Sequence, residues 1–158
     1  MNVQNRRTFL TRTGLAALAG GAVASQADAH PNDVELKKEV IPGSPYPTFS
    51  RAVRCGQTVY VSGVLGQTPG SRGLASPGFE GQCRQAMENL KASVEAAGSS
   101  MDRVLKVGAF LTEQSDFAAF NRIYVGYFPS DPPARSTVIV KDLVAPGAKI
   151  EIDCTAFV

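Results

Sequence analysis

The sequence predicts an α+β fold, a mixed β-sheet with two helices packed on one face. Three observations predict it. Apolar residues alternate at period two over residues 58–62 and again over 149–157. Between these stretches the period lengthens to that of a helix, with Cys83, Ala86, Met87, Leu90, Val94 and Ala97 recurring on one stripe. The order strand, strand, helix, strand, helix, strand, strand intersperses helices with hairpin-capable strands, as a helix-on-sheet layer requires. With 158 residues, 44% apolar and 19% charged, the chain has room for one domain and an appendage, and its composition excludes wholesale disorder.

Residues 1–29 read as an address. Arg6-Arg7 stand just before Phe9-Leu10, and residues 14–24 contain only Gly, Ala, Leu and Val. That run is too short for a membrane span and ends near Ala27-Asp28-Ala29, a small-x-small cleavage pattern. Twin arginines before a mildly apolar stretch resemble a bacterial twin-arginine export signal. The expectation is cleavage after Ala29, a periplasmic or extracellular location, and no lasting membrane anchor.

Residues 30–48 hold Pro31, Pro42, Pro45 and Pro47 and are expected to form an extended lead-in outside the core, with the domain proper over 49–158. A short strand at 50–54 turns at Gly56-Gln57 into the alternating strand at 58–62. The Gly- and Pro-rich stretch 66–78 is a loop with room for a short strand. The helix over 80–97 carries Arg84, Glu88, Lys91 and Glu95 on its outer face and stops at Gly98. A strand follows at 103–111, with Leu105, Val107, Ala109 and Leu111 inward and Lys106 outward. Ser115-Asp116 caps a second helix that runs to Phe128 and ends before Pro129. Its Phe117, Phe120, Tyr124, Tyr127 and Phe128 suit a core or a subunit interface. Strands at 136–140 and 149–157 close the chain, the last turning Ile150, Ile152, Cys154 and Ala156 inward. One face of such a sheet still needs cover, which dimerisation or trimerisation supplies.

The formal charge of +2 belongs to the precursor. Residues 1–29 hold Arg6, Arg7 and Arg12 against Asp28, so the remaining 129 residues carry 13 basic and 13 acidic side chains. No basic run survives, and a nucleic-acid partner is not expected. Cys55, Cys83 and Cys154 are 28 and 71 residues apart without a Cys-x-x-Cys pair, and His30 is the sole histidine. That inventory excludes a zinc site of ordinary spacing and a Ser-His-Asp triad. Cys83 and Cys154 fall on apolar faces and read as buried, inert thiols.

Several segments carry a family likeness. They are Val59-Tyr60-Val61-Ser62-Gly63, Ser93-Val94-Glu95-Ala96-Ala97-Gly98, Asp116-Phe117-Ala118-Ala119-Phe120-Asn121, Pro133-Ala134-Arg135-Ser136-Thr137-Val138, and Lys149-Ile150-Glu151-Ile152-Asp153. Together they resemble the reactive intermediate deaminases (RidA, or YjgF) from about Pro45 to the C-terminus. Pro-Ala-Arg-Ser followed by Lys-Ile-Glu-Ile is the specific part. The resemblance implies a chorismate-mutase-like fold and a homotrimer with active sites in clefts between neighbouring subunits. It also implies cofactor-free, metal-free hydrolysis of enamines and imines such as 2-aminoacrylate to keto acids and ammonia.

By this resemblance Arg135 and Glu151 are the catalytic pair. Arg135 anchors the substrate carboxylate through its planar fork, and Glu151 orients or activates the attacking water. Phe49, Ser62, Gly63, Asn121 and Thr137 match substrate-binding positions. From pattern alone, Arg135 is also compatible with a solvated strand-edge charge, Glu151 with an acidic face shared with Asp153, Asn121 with a solvent-facing helix position, and Ser62 with a turn. The chain departs from the family where a Gly-Pro-Tyr-Ser-Gln segment reads Pro47-Thr48-Phe49-Ser50-Arg51. It departs again at Val64, where Gln commonly follows Ser-Gly, and at Thr137, often Cys. A non-catalytic module that binds an imine, a keto acid or another small carboxylate is the alternative, with endoribonuclease activity a weaker one.

Overall fold

A computed structural model describes residues 36–158; the expected export signal and its cleavage site lie outside them. Six strands form one sheet: β1 (Lys38–Ile41), β2 (Ala52–Cys55), β3 (Thr58–Leu65), β4 (Val104–Leu111), β5 (Ala134–Ile139) and β6 (Ile150–Phe157). They lie in the order β1-β2-β3-β6-β4-β5. The β4–β5 pair is parallel, joined by the crossover helix α2 (Phe117–Tyr127), and the other described pairings are antiparallel.

The core forms where two periodicities meet. The helix α1 (Phe79–Ala96) buries Cys83, Ala86, Met87, Leu90 and Val94 at helical spacing. Beneath them the sheet presents Val59, Val107, Ala109, Leu111, Ile150, Ile152, Cys154 and Ala156 at period two. Each large aliphatic buried here contributes roughly 1.5–3 kcal/mol, so this interface holds the fold. Gly98 ends α1 as expected, at φ +82°. Its N–H donates to the Glu95 carbonyl at 3.0 Å and the Ser99 N–H to the Val94 carbonyl at 3.1 Å, a Schellman closure that needs a left-handed residue. Cys83 and Cys154 are buried thiols as expected, and burial pushes both up to about 12.

Four expectations are adjusted. Part of the lead-in, Lys38–Ile41, pairs with β2 as an edge strand; it is extended and mostly exposed, but Ile41 packs on the core. Leu105 is 53% exposed because β4 slips against β6 between Val104 and Lys106, and the irregularity turns Leu105 out while Val104 takes the inward place. A 3₁₀ turn over Gln114–Asp116 leads into α2, and no side chain caps it. The loop 66–78 holds a single bridge, Gln67 to Leu74. The sheet face away from the helices leaves Tyr60, Val138 and Phe157 exposed.

Candidate active site

Pro132-Pro133 lead the chain into β5, where Arg135 is the second residue, in register with Val107. Val107 is fully buried beneath the helices, so Arg135 projects on that same side of the sheet and meets α2. Phe117, Phe120, Asn121 and Tyr124 follow each other at i, i+3, i+4 and i+7, one stripe of the helix. The guanidinium carbon lies 4.5 Å from the Tyr124 ring centroid, 4.8 Å from Phe120 and 6.0 Å from Phe117. Its Nη2 donates to Asn121 Oδ1 at 2.7 Å. No carboxylate among the described residues pairs with it. The charge is therefore held by π-faces and a neutral amide, which orient the fork without neutralising it. It borders a cavity of about 350 Å³ lined by Asn121, Tyr124, Val125, Pro132 and Pro133.

Two hydroxyls beside this arginine are buried without a hydrogen-bond partner, Tyr124 Oη and Thr137 Oγ1. Burial raises the Tyr124 phenol to about 12 despite the Arg135 charge, which acts the other way, so it stays neutral. Thr137 follows Arg135 on the same strand face, in register with Ala109, and does not line the cavity.

Glu151 is the second residue of β6, in register with Leu65 and Phe110. Between Val61 and Val64 the β3–β6 register shifts, and Gly63 sits in that irregularity. Its missing side chain makes room for Glu151, since a Cβ there would overlap the carboxylate. Burial first, and Asp153 on the same strand face second, raise the Glu151 carboxyl above its ordinary value. A carboxyl so shifted is a better acid–base group near neutral pH. The Ser62 hydroxyl donates to the Ser50 carbonyl at 2.7 Å, so its proton is committed and its oxygen is left to accept. Phe49 stacks on Tyr46 at 5.2 Å and stays 46% exposed. Phe49, Ser62, Gly63, Val64 and Glu151 share one open groove of about 1210 Å³.

The expected site residues thus fall into two groups. Asn121, Arg135 and Thr137 form one, and Phe49, Ser62, Gly63 and Glu151 the other. Glu151 is in register with Phe110, and Phe110 with Val138, on the face away from the helices. Arg135 faces the helices. A single subunit does not bring them to one substrate.

The sequence reading gave no role to the residues that shape the groove. Gln82, fully buried, donates through Nε2 to the Ser76 and Gly147 carbonyls at 3.1 Å and accepts the Lys149 N–H at 2.8 Å. Asn89 donates to the Leu65 and Gln67 carbonyls at 2.9 and 2.8 Å. These bonds fix the loops that wall the groove. A signal was present: Gln82 and Ser93 are polar residues on the apolar stripe of α1, and buried polar groups need partners.

The chain resembles proteins of known name. The protein-family model described as Endoribonuclease L-PSP matches residues 42–158. The Reactive Intermediate Deaminase A of Arabidopsis thaliana chloroplasts is 33% identical over 98% of this chain and 89% of its own. The 2-iminobutanoate/2-iminopropanoate deaminase of Homo sapiens is 37% identical over 73% of this chain and 82% of its own. The crystal structure of RidA from the Antarctic bacterium Psychrobacter sp. PAMC 21119 superposes with a TM-score of 0.68 at 38% identity, covering 78% of this chain and 98% of that one. Sequence motifs, fold and relatives agree, and the chain belongs to the RidA/YjgF family of reactive intermediate deaminases.

Proposed function

We propose that this protein hydrolyses reactive 2-imino acids and their enamine tautomers to 2-keto acids and ammonia. The observation that carries the reading is Arg135, oriented by Asn121 and three aromatic rings yet unpaired with any described carboxylate. A 2-imino acid supplies the missing partner, a carboxylate one bond from an electrophilic carbon. The guanidinium fork binds that carboxylate and withdraws charge from the reacting carbon. Glu151 accepts a proton from water as the water oxygen bonds to the imine carbon, and returns a proton to nitrogen. The hydroxyl proton of the resulting carbinolamine then passes to the nitrogen as the carbon–nitrogen bond breaks, so that ammonia leaves and the carbonyl forms. Imines are already electrophilic, so positioning and one acid–base group suffice.

The two residue groups complete one site when a second copy sets its Glu151 groove against the Arg135 cavity. A homotrimer, in which three such clefts close a ring, is the assembly we infer. We infer too that residues 1–29 are a twin-arginine export signal, that the mature chain starts at His30, and that the enzyme works in the periplasm. N-terminal sequencing of periplasmic protein, with and without Arg6→Lys/Arg7→Lys, tests that inference: retention in the cytoplasm by the double variant is expected.

The catalytic reading is tested with imines made in situ by an amino-acid oxidase. Wild-type protein is expected to speed keto-acid release, and Arg135→Ala to lose that effect. Equal rates would sink the reading. A second reading is favoured by Phe49, which lacks a hydroxyl at the position where relatives of the deaminase branch carry tyrosine. In it, the cleft binds small carboxylates without turnover. Calorimetric binding of a keto acid that needs Arg135, together with no hydrolysis, would select it.

A further inference from the structure

Arg51 is a second guanidinium in the Glu151 groove, and the catalytic reading leaves it without a task. Its Nε donates to Ser93 Oγ at 3.0 Å. Ser93 is 3% exposed and its own hydroxyl donates to the Asn89 carbonyl at 2.8 Å, so the anchor is itself fixed within α1. Nε is thereby consumed. The two terminal nitrogens, Nη1 and Nη2, have no hydrogen-bond partner among the described residues, and no described carboxylate pairs with Arg51. The Nη1/Nη2 edge is the one that binds a carboxylate end-on through two parallel hydrogen bonds.

The backbone of Arg51 lies beside the reactive end of the groove. Its carbonyl accepts the Ser62 N–H at 3.1 Å, and Gly63, the next residue, packs against Glu151. The charged residues lining the groove are Arg51, Arg72 and Glu151. Arg72 lies 5.2 Å above the Tyr46 ring at the same rim. The lining thus carries two cations against one carboxylate, whose ionisation burial disfavours, so the groove favours an anionic occupant.

We propose that Arg51 binds a second carboxylate, making imino dicarboxylates, the imines of acidic amino acids, the preferred substrates. This rests on the deaminase reading, with Arg135 holding the carboxylate next to the imine carbon. Arg51 takes the side-chain carboxylate. The family segment has glutamine at this position, which donates hydrogen bonds but carries no charge, so Arg51→Gln removes the cation while keeping a residue the fold accepts.

The test compares imines generated in situ from aspartate and glutamate with those from alanine and leucine, using the full-length mature protein. Wild type is expected to show kcat/KM about tenfold or more higher for the dicarboxylic imines. Arg51→Gln is expected to lower the ratio of dicarboxylic to monocarboxylic kcat/KM by about tenfold, and Arg51→Lys, which keeps the charge, to restore part of it. A purely structural role for Arg51 would slow both substrate classes together and leave the ratio fixed. An unchanged ratio in Arg51→Gln, while Arg135→Ala is inactive on every imine, would overturn the second-carboxylate site alone. No acceleration of any imine by wild type would overturn the parent reading, and this one with it.

Discussion

Arg135 and Glu151 stand on opposite faces of the same sheet. Arg135 is in register with Val107, fully buried beneath the helices, whereas Glu151 is in register with Phe110 on the far side. The parity of the strands decides this, since neighbours in register share a face and successive residues alternate. A substrate whose carboxylate and imine carbon are directly bonded cannot reach both through a sheet. The pair is usable only when Arg135 of one copy meets Glu151 of another.

Mixing two inactive variants tests that arrangement. Arg135→Ala and Glu151→Gln are each expected to lose imine hydrolysis. Unfolded together and refolded as a mixture, they form some clefts in which both wild-type residues meet. Random assembly of a ring then restores about a quarter of the wild-type sites. Recovery near that level supports a shared cleft, and none would mean that each subunit works alone.

The raised carboxyl of Glu151 has two consequences for pH. Its folded-state pKa lies above its unfolded value, so between the two the native state binds more protons than the unfolded chain. Its contribution to stability is therefore fully present below the unfolded pKa and is lost as pH rises through the folded one. Glu151→Gln is expected to melt at higher temperature than wild type at pH 7, with the difference shrinking below about pH 4, where the carboxyl is protonated in both states. The acid limb of the kcat/KM profile is expected to be shifted upward from where an ordinary glutamate would place it. Thermal melts and a pH–rate profile check both.

Much of the fold was legible because periodicity reports burial directly. Cys83 to Val94 on α1 and Ile150 to Ala156 on β6 sit where their spacing placed them. Leu105 was misplaced because a register slip breaks the alternation without a mark in residue type. Strand β1 carries no apolar alternation to mark it, because an edge strand is mostly exposed and needs none. The candidate site residues rest on motif likeness, since spacing alone leaves Arg135, Glu151, Asn121 and Ser62 open to structural readings. Their division between two faces follows from strand register, which the motifs do not contain. Gln82 and Arg51 were readable as departures, one from an apolar stripe and one from a family segment, yet their hydrogen bonds needed three dimensions.

Gly63 leaves the space that the Glu151 carboxylate occupies. Its φ is not in the left-handed region, so alanine suits the backbone there, but the added Cβ would overlap the Glu151 carboxylate. Gly63→Ala should destabilise by up to about 1 kcal/mol, since the flexible Glu151 side chain can swing aside, and on the proposed mechanism should depress hydrolysis by displacing that carboxyl. Combining it with Glu151→Ala should relieve most of the stability loss. A double-mutant cycle in urea measures the coupling, and additive losses would show that the two side chains do not compete for space.

The three thiols should separate by reactivity. Burial raises Cys83 and Cys154 to about 12, which leaves little thiolate at pH 8, and both are shielded from reagents. Cys55 is only half-buried. In native protein a chromogenic disulfide reagent is expected to modify Cys55 first, with the other two reacting only as the protein unfolds. Simultaneous release of three equivalents from folded protein would contradict the burial.

Tyr124 separates the work of a ring from that of a hydroxyl. Its ring centroid lies 4.5 Å from the Arg135 guanidinium carbon, while its Oη is buried without a partner. A buried, unsatisfied hydroxyl is a cost, so Tyr124→Phe should be neutral or stabilising by up to about 1 kcal/mol and should keep KM unchanged. Tyr124→Leu removes the nearest π-face, leaves Phe120 and Asn121 Oδ1 to hold the fork, and also opens space between Phe120 and Phe128, which Tyr124 contacts at 5.4 and 4.7 Å. That variant should lose about 2–4 kcal/mol of stability and raise KM by about tenfold, with a smaller effect on kcat. The split matters because, on the proposed mechanism, Arg135 holds a carboxylate that is present in the ground state and the transition state alike, so loosening its anchor acts mainly on binding. A fall in kcat with KM unchanged would instead place the ring's effect in the chemical step.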